Sequence, residues 1–147
     1  MANEAITLAA FLAPNVEKAG GEEYVATKRI KDPKTGKPVP WKLQPVDTET
    51  MTRLRKECSR QVPVPGKRGM YTRETDSEKF VKMLTAKTVV FPDLNNAQLQ
   101  DSWGVMGAEN LLNRMLIPGE YDDLVMKVQE VNGYDKDMDE LVDQAKN

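Results

Sequence analysis

The residues of this chain that could do chemistry are few, and the missing ones narrow the field first. There is no histidine among the 147 residues, so no imidazole base, no histidine metal ligand and no Ser-His or Cys-His pairing is available. One cysteine, Cys58, excludes an internal disulfide and a multi-cysteine zinc site. Cys58 falls on the apolar side of an expected helix, where a free cysteine behaves as a small buried hydrophobe. The loop PGKRGMYTR invites comparison with a phosphate-binding loop. That loop needs a glycine four residues before the Gly-Lys pair and a hydroxyl residue after it. Gln61 and Arg68 stand there, so both the backbone cradle and the magnesium ligand are missing. Lys67, Arg68 and Arg73 around Tyr71 could contact a nucleic-acid backbone and stack a base. Without a wider basic face, in an acidic chain, nucleic acid is a disfavoured partner.

Asp135, Asp137 and Asp139 alternate like the first ligands of a calcium loop. Its sixth position calls for glycine and its twelfth for glutamate, and these are Glu140 and Lys146. Acidic residues at a helix N-terminus account for the pattern more simply. Asp122 and Asp123 sit opposite an apolar helical stripe and read as solvated surface. The expectation is a protein without catalytic, metal or cofactor sites.

The elements around these residues read as a mostly helical α+β chain, one domain over 1–147. Its parts are a short amphipathic helix and linker (1–22), a β-hairpin (23–46) and a helical part (47–147). Length and a hydrophobic fraction of 39% suit a modest core, and mean hydropathy is negative. No run approaches transmembrane length, so no membrane partner is expected. The run ITLAAFLA follows Glu4 and lacks a small-residue cleavage site, which argues against a signal peptide and for the cytoplasm. The net charge of −2 hides a polarity: residues 1–75 carry +5 and residues 76–147 carry −7. That polarity suits packing of one half on the other, self-association or a charged partner.

Leu8, Phe11 and Leu12 follow a candidate N-cap at Thr7, with Pro14 as the stop. Asn15–Glu22, with its Gly-Gly pair, reads as a flexible linker. Tyr24–Lys31 and Val39–Gln44 read as hairpin strands joined by DPKTGKP. Trp41 lies on the apolar face, and Gly36 takes a left-handed turn position. Pro38, Pro40 and Pro45 predict that the second strand is an edge. A helix capped by Asp47 or Thr48 follows, through about Ser59. Gln61–Asp76 then reads as a Pro/Gly-rich loop, and Thr75 with Glu78 as a capping box for the next helix. Asn95 or Asn96 caps a short helix ending near Trp103. Three amphipathic helices complete the chain. Ala108, Leu111, Leu112, Met115 and Leu116 line the first. Tyr121, Leu124, Val125, Val128 and Val131 line the second. Met138, Leu141, Val142 and Ala145 line the third.

Three stretches carry a family resemblance. They are KRIKDPKTGKPVPWKLQPVD, RLRKECSRQVPVPGKRGMYTRETD and the run from VVFPDLNNAQLQDSW to the end. The specific part lies between Asp93 and Gly133, where PDL, LQDSWGVMGAE, MLIPGEY and QEVNG occur in order. Together they resemble the XkdN-like family of phage tail assembly chaperones, over nearly the whole chain. The resemblance implies a non-enzymatic protein of long-tailed phages or prophages of Gram-positive hosts, made in the host bacterial cytoplasm. Such chaperones are thought to coat the helical tape-measure protein, keep it soluble, recruit tail-tube protein and leave the finished tail. In related systems a frameshift produces a longer form. A structural tail component retained in the particle, or a regulator using the basic loop, are the alternatives, and homo-oligomerisation is left open. A chaperone must keep apolar surface uncommitted. The candidate partner-binding residues are therefore Leu8, Phe11 and Leu12 before the Gly-Gly linker, and Met138, Leu141 and Val142 after Asn132-Gly133. Segments this short are unstable as isolated helices and must dock on something.

Overall fold

The computed structural model describes residues 8–17 and 20–134. The architecture is the expected α+β class, with five α-helices and antiparallel strands among the described residues. Strand β1 (Glu22–Tyr24) pairs with β2 (Trp41–Leu43) in a register that sets Tyr24 opposite Trp41. The hairpin is shorter and earlier than the sequence suggested, because regular pairing gives way after Tyr24 and resumes only as a bridge between Lys31 and Pro38. Its tip is as expected. Gly36 has φ +71, and the Asp32 carboxylate accepts from the Lys34 N–H at 2.8 Å. Gly21 is a packing position rather than a free linker. A Cβ there would meet the Leu43 carbonyl oxygen at 2.9 Å, so the close approach of the incoming chain to β2 needs a residue without a side chain.

The edge assignment of β2 is overturned. The sheet order is β1-β2-β5, with β5 formed by Val89–Phe91. Pro40 and Pro45 flank the three-residue strand rather than interrupt it, so no ladder donor is lost. The Gln44 N–H beyond the strand donates to the Thr88 carbonyl at 2.9 Å. Central placement buries alternate side chains of β2: Trp41 and Leu43 are closed off, while Lys42 is exposed.

Helix α1 (Thr48–Glu57) is capped by Asp47, whose carboxylate accepts from the Thr50 N–H at 2.7 Å. The hydrogen bond from Thr50 holds the Asp47 carboxyl below its ordinary value. Where a loop was expected, β3 (Ser59–Pro63) and β4 (Tyr71–Thr75) form a second hairpin with five paired positions. It has no buried face: β4 is exposed along its whole length. Helix α2 (Ser77–Thr88) is capped by Asp76, which accepts from the Lys79 N–H at 3.2 Å. The expected Thr75 box does not form, because Thr75 is the last residue of β4. Asn96 caps α3 (Ala97–Ser102), as one of the two candidates foresaw. Helices α4 (Ala108–Met115) and α5 (Pro118–Val131) complete the described fold.

The core is one cluster in which Trp41 and Leu43 of the sheet meet Met51 and Leu54 of α1. The same cluster takes in Leu84 of α2, Leu111, Leu112 and Met115 of α4, and Leu124 and Val128 of α5. The stripes of α4 and α5 read from the sequence therefore face inward. Asn132 ties the end of α5 to the sheet side. Its Oδ1 accepts from the Val46 N–H at 2.9 Å and its Nδ2 donates to Thr88 Oγ1 at 3.1 Å.

Candidate functional site

The apolar residues at the N-terminal end of the described chain lie outside this core. Instead of one amphipathic α-helix, Ala9–Phe11 and Ala13–Asn15 form two successive 3-10 turns, with Pro14 inside the second. The six residues between the Thr7 cap candidate and Pro14 give too few hydrogen bonds to offset helix nucleation. The Asn15 side-chain amide folds the second turn onto the first by donating to the Ala9 carbonyl at 2.9 Å. Leu8 and Phe11 are exposed at 73% and 77%, and Leu12 and Val16 are exposed as well. Leu8, Phe11 and Leu12 thus share one short segment with their apolar surface open. Thr7, Met138, Leu141 and Val142 lie outside the described residues, as do the Asp135–Asp139 alternation and Ala145. Val16 was missed by sequence reasoning, although its i, i+4 spacing from Leu12 was a usable signal.

A second apolar surface, also missed, is a concave one. Helices α1, α2 and α5 enclose a groove of about 540 Å³ lined by Met51, Phe80, Val81, Leu84, Val125 and Tyr134 among others. Among the described residues Arg55 is the one charged residue in this lining, and its guanidinium lies 5.6 Å from the Phe80 ring centroid. The signal was there in Val81 and Val125, apolar residues at the margins of stripes whose centres, Leu84 and Val128, are buried. A smaller cavity of about 270 Å³ lies beside the sheet, between Ile30, Trp41, Phe91, Trp103 and Met115.

The polar candidates take the places expected of surface and core. Lys67 and Arg68 ride the exposed turn between β3 and β4, and Arg73 and Tyr71 lie on exposed β4. The neighbouring Arg60 is paired with Glu74 at 3.1 Å. Cys58 is buried, with Sγ 3.5 Å from Met83 Sδ, and burial pushes its thiol above the ordinary value, which disfavours the reactive thiolate. Asp122 and Asp123 are exposed. Among the described residues, no cluster of three or more His, Cys, Asp or Glu could hold a metal ion.

A polar contact clamps the start of α5. Arg29 donates to Glu120 Oε1 and to the Met115 carbonyl, each at 2.7 Å. Glu120 also accepts from the Ile117 N–H at 3.0 Å. The Arg29 hydrogen bond, helped by Thr27, pulls the Glu120 carboxyl down to about 2. These are structural contacts, holding the hairpin against the α4–α5 turn.

Residues 8–146 match the family model described as "Phage XkdN-like tail assembly chaperone protein, TAC". The chain belongs to this family. It is similar to "Phage-like element PBSX protein XkdN" of Bacillus subtilis (strain 168), 30% identical over 122 residues, covering 82% of this chain and 80% of that protein. It is likewise similar to "Uncharacterized protein YqbN" of the same strain, 30% identical over 141 residues, covering 95% and 93% of the two chains. A crystal structure of the protein YqbN shares the fold, with a TM-score of 0.72 at 24% identity, over 86% of this chain and 96% of that one. Membership implies phage tail partners in general, and families of this kind are usually non-enzymatic. Among the described residues no helix is long and apolar enough to cross a membrane.

Proposed function

We propose that this tail assembly chaperone family member acts as a single domain over residues 1–147 in the host bacterial cytoplasm. It binds the phage tape-measure protein, keeps it soluble, helps to recruit tail-tube protein, and is not retained in the mature particle. It does so by binding alone, without catalysis, metal or nucleotide. The observation that carries this reading is the exposed row of Leu8, Phe11 and Leu12, continued by Val16, beside a core that closes without them. Apolar residues held on the surface in a compact turn suit reversible masking of an amphipathic client helix. Met126, exposed at 62%, adds an adaptable thioether to the surface. Met138, Leu141 and Val142 were the second candidate row, from pattern alone.

The test is co-expression with the tape-measure protein encoded nearby. With the unaltered chain the tape-measure protein stays in the soluble fraction. With Phe11→Asp the chaperone stays folded while the tape-measure protein moves to the pellet. An unfolded Phe11→Asp variant would place Phe11 in the core and end this assignment. Mass spectrometry of purified particles separates the reading from a retained tail component, which would be stoichiometric rather than depleted.

A further inference from the structure

The two outer edges of the β3–β4 ribbon are built differently. The Asp76 N–H donates to the Cys58 carbonyl at 2.8 Å, and the Val64 N–H to the Met70 carbonyl at 3.0 Å. Between them the register sets Arg60 against Glu74 and Val62 against Thr72, so the even-numbered positions carry the hydrogen bonds across the ribbon. An antiparallel pair alternates, and the odd-numbered positions turn their N–H and C=O groups outward. On β3 these are Ser59, Gln61 and Pro63, and Pro63 has no donor to offer. On β4 they are Tyr71, Arg73 and Thr75, with every donor and acceptor present, on a strand that is exposed along its length. One edge is blunted against pairing and the other is not. A two-stranded ribbon without a buried face is marginal in water and gains from a further strand.

The side chains of β4 fit a second copy of β4 in one register. Outward positions must meet outward positions, so each two-fold antiparallel register is defined by the residue that faces its own copy. With Arg73 there, two guanidinium groups oppose each other; with Glu74 there, two carboxylates do. Like charges directly opposite destabilise a sheet. With Tyr71 there, the ladder runs into Gly69, whose φ of +80 leaves the extended region. With Thr75 there, it runs into Ser77, the first residue of α2. Thr72 avoids all of these faults. It sets Tyr71 against Arg73 of the second copy and Arg73 against that copy's Tyr71, a cation beside an aromatic ring twice over. Glu74 is held by Arg60 at 3.1 Å and does not compete for Arg73. Thr72 facing Thr72 is a favourable cross-strand pair, and Val62, opposite Thr72 on each ribbon, extends that row across four strands.

We propose that β4 is a self-association edge: two copies pair antiparallel through Tyr71–Arg73, with Thr72 on the two-fold axis, into one β3-β4-β4-β3 sheet. The contact uses the same patch on both chains, so it closes at a dimer and does not propagate into a filament.

The Arg73 N–H takes no part in the ribbon, so Arg73→Pro strips a donor and a cation from the edge while leaving the β3–β4 ladder in place. Sedimentation of the full chain should show a concentration-dependent equilibrium between 16.5 kDa and twice that mass. Arg73→Pro should raise its dissociation constant at least about tenfold, with the far-UV circular dichroism unchanged. Single cysteines at Thr72→Cys, Arg73→Cys and Glu74→Cys read the register independently. Facing residues of a non-hydrogen-bonded pair have Cα atoms about 4.5 Å apart, inside the disulfide range of about 4.4–6.8 Å. Mild oxidation should therefore cross-link Thr72→Cys severalfold faster than the other two. Cys58 is buried, which makes the unaltered chain the control without a cross-link. A chain that stays monomeric up to about 1 mM, a dimer that Arg73→Pro leaves intact, or faster cross-linking at 73 or 74 overturns the proposal. None of these readouts involves the tape-measure protein, so the client assignment stands or falls separately.

Discussion

Trp41→Ala is the sharpest test of the core. Trp41 is 1% exposed and occupies the central strand, opposite Tyr24. A Trp side chain buries about 150–250 Å², which at about 25 cal/mol per Å² amounts to about 4–6 kcal/mol of transfer free energy. Alanine keeps the Cβ, and the cavity of about 270 Å³ already beside the ring means that one side of it has fewer contacts to lose. Both corrections point to the lower half of the range for large-to-small core changes, about 3–4 kcal/mol. For a chain of this length that corresponds to a fall in Tm of roughly 6–16 °C, a large fraction of a stability of order 5–15 kcal/mol. Urea unfolding followed by far-UV circular dichroism measures it. The midpoint should fall with the slope unchanged, since the folded surface is nearly the same. A loss below about 1 kcal/mol, typical of an average substitution, would refute the argument that the sheet is anchored to the helices through this ring.

Asn132→Ala removes the acceptor of the Val46 N–H and the donor to Thr88 Oγ1, and should cost about 1–3 kcal/mol in denaturant unfolding; an unchanged midpoint would mean that water replaces both bonds. Glu120 gives a pH signature with a definite sign. Its carboxyl titrates at about 2 instead of its ordinary 4.5, so its stabilising contribution is complete above 4.5 and is lost as pH falls from 4.5 to 2. The Tm gap between the protein and Glu120→Gln should be present at pH 7 and close across that window, small throughout because Arg29 is half exposed; a gap independent of pH would sink the ion-pair account. Saturating ATP-magnesium or calcium should leave Tm unmoved, whereas occupation of a real site stabilises by RT ln(1 + [L]/Kd).

What the sequence made legible follows from which forces are local. The stripes of α4 and α5 were readable because burial on one helical face imposes a 3.6-residue period. Leu111, Leu112, Met115, Leu124 and Val128 are buried as that period required. Asp47 and Asn96 were readable as caps because a side chain that accepts from a backbone N–H three residues on is a property of four residues. The pairing of β2 with β5 was not. It joins residues nearly fifty apart, and the local clue, three prolines, pointed the wrong way because two of them stand just outside the strand. The β3–β4 hairpin was invisible for a different reason. Neither strand buries a face against the core, so no alternation was written into SRQVP or YTRET, and the Pro and Gly residues at its turn dominated the reading.

The same distinction governs the candidate site. A residue that packs in the core announces itself by periodicity, but a residue kept on the surface for a partner shows the same periodicity, and only the fold separates the two. Leu8, Phe11 and Leu12 carried the signature of a core-facing helix, yet the chain there forms 3-10 turns, with Pro14 inside the second, and leaves the apolar side chains exposed. Val81 and Val125 carried the weaker signature of stripe margins, yet they line a concave apolar surface of about 540 Å³. A chaperone without an energy source needs surfaces that are apolar enough to hold a client and small enough to leave the free protein soluble. A four-residue row on a turn meets both demands, since contiguous patches beyond a few hundred Å² invite association.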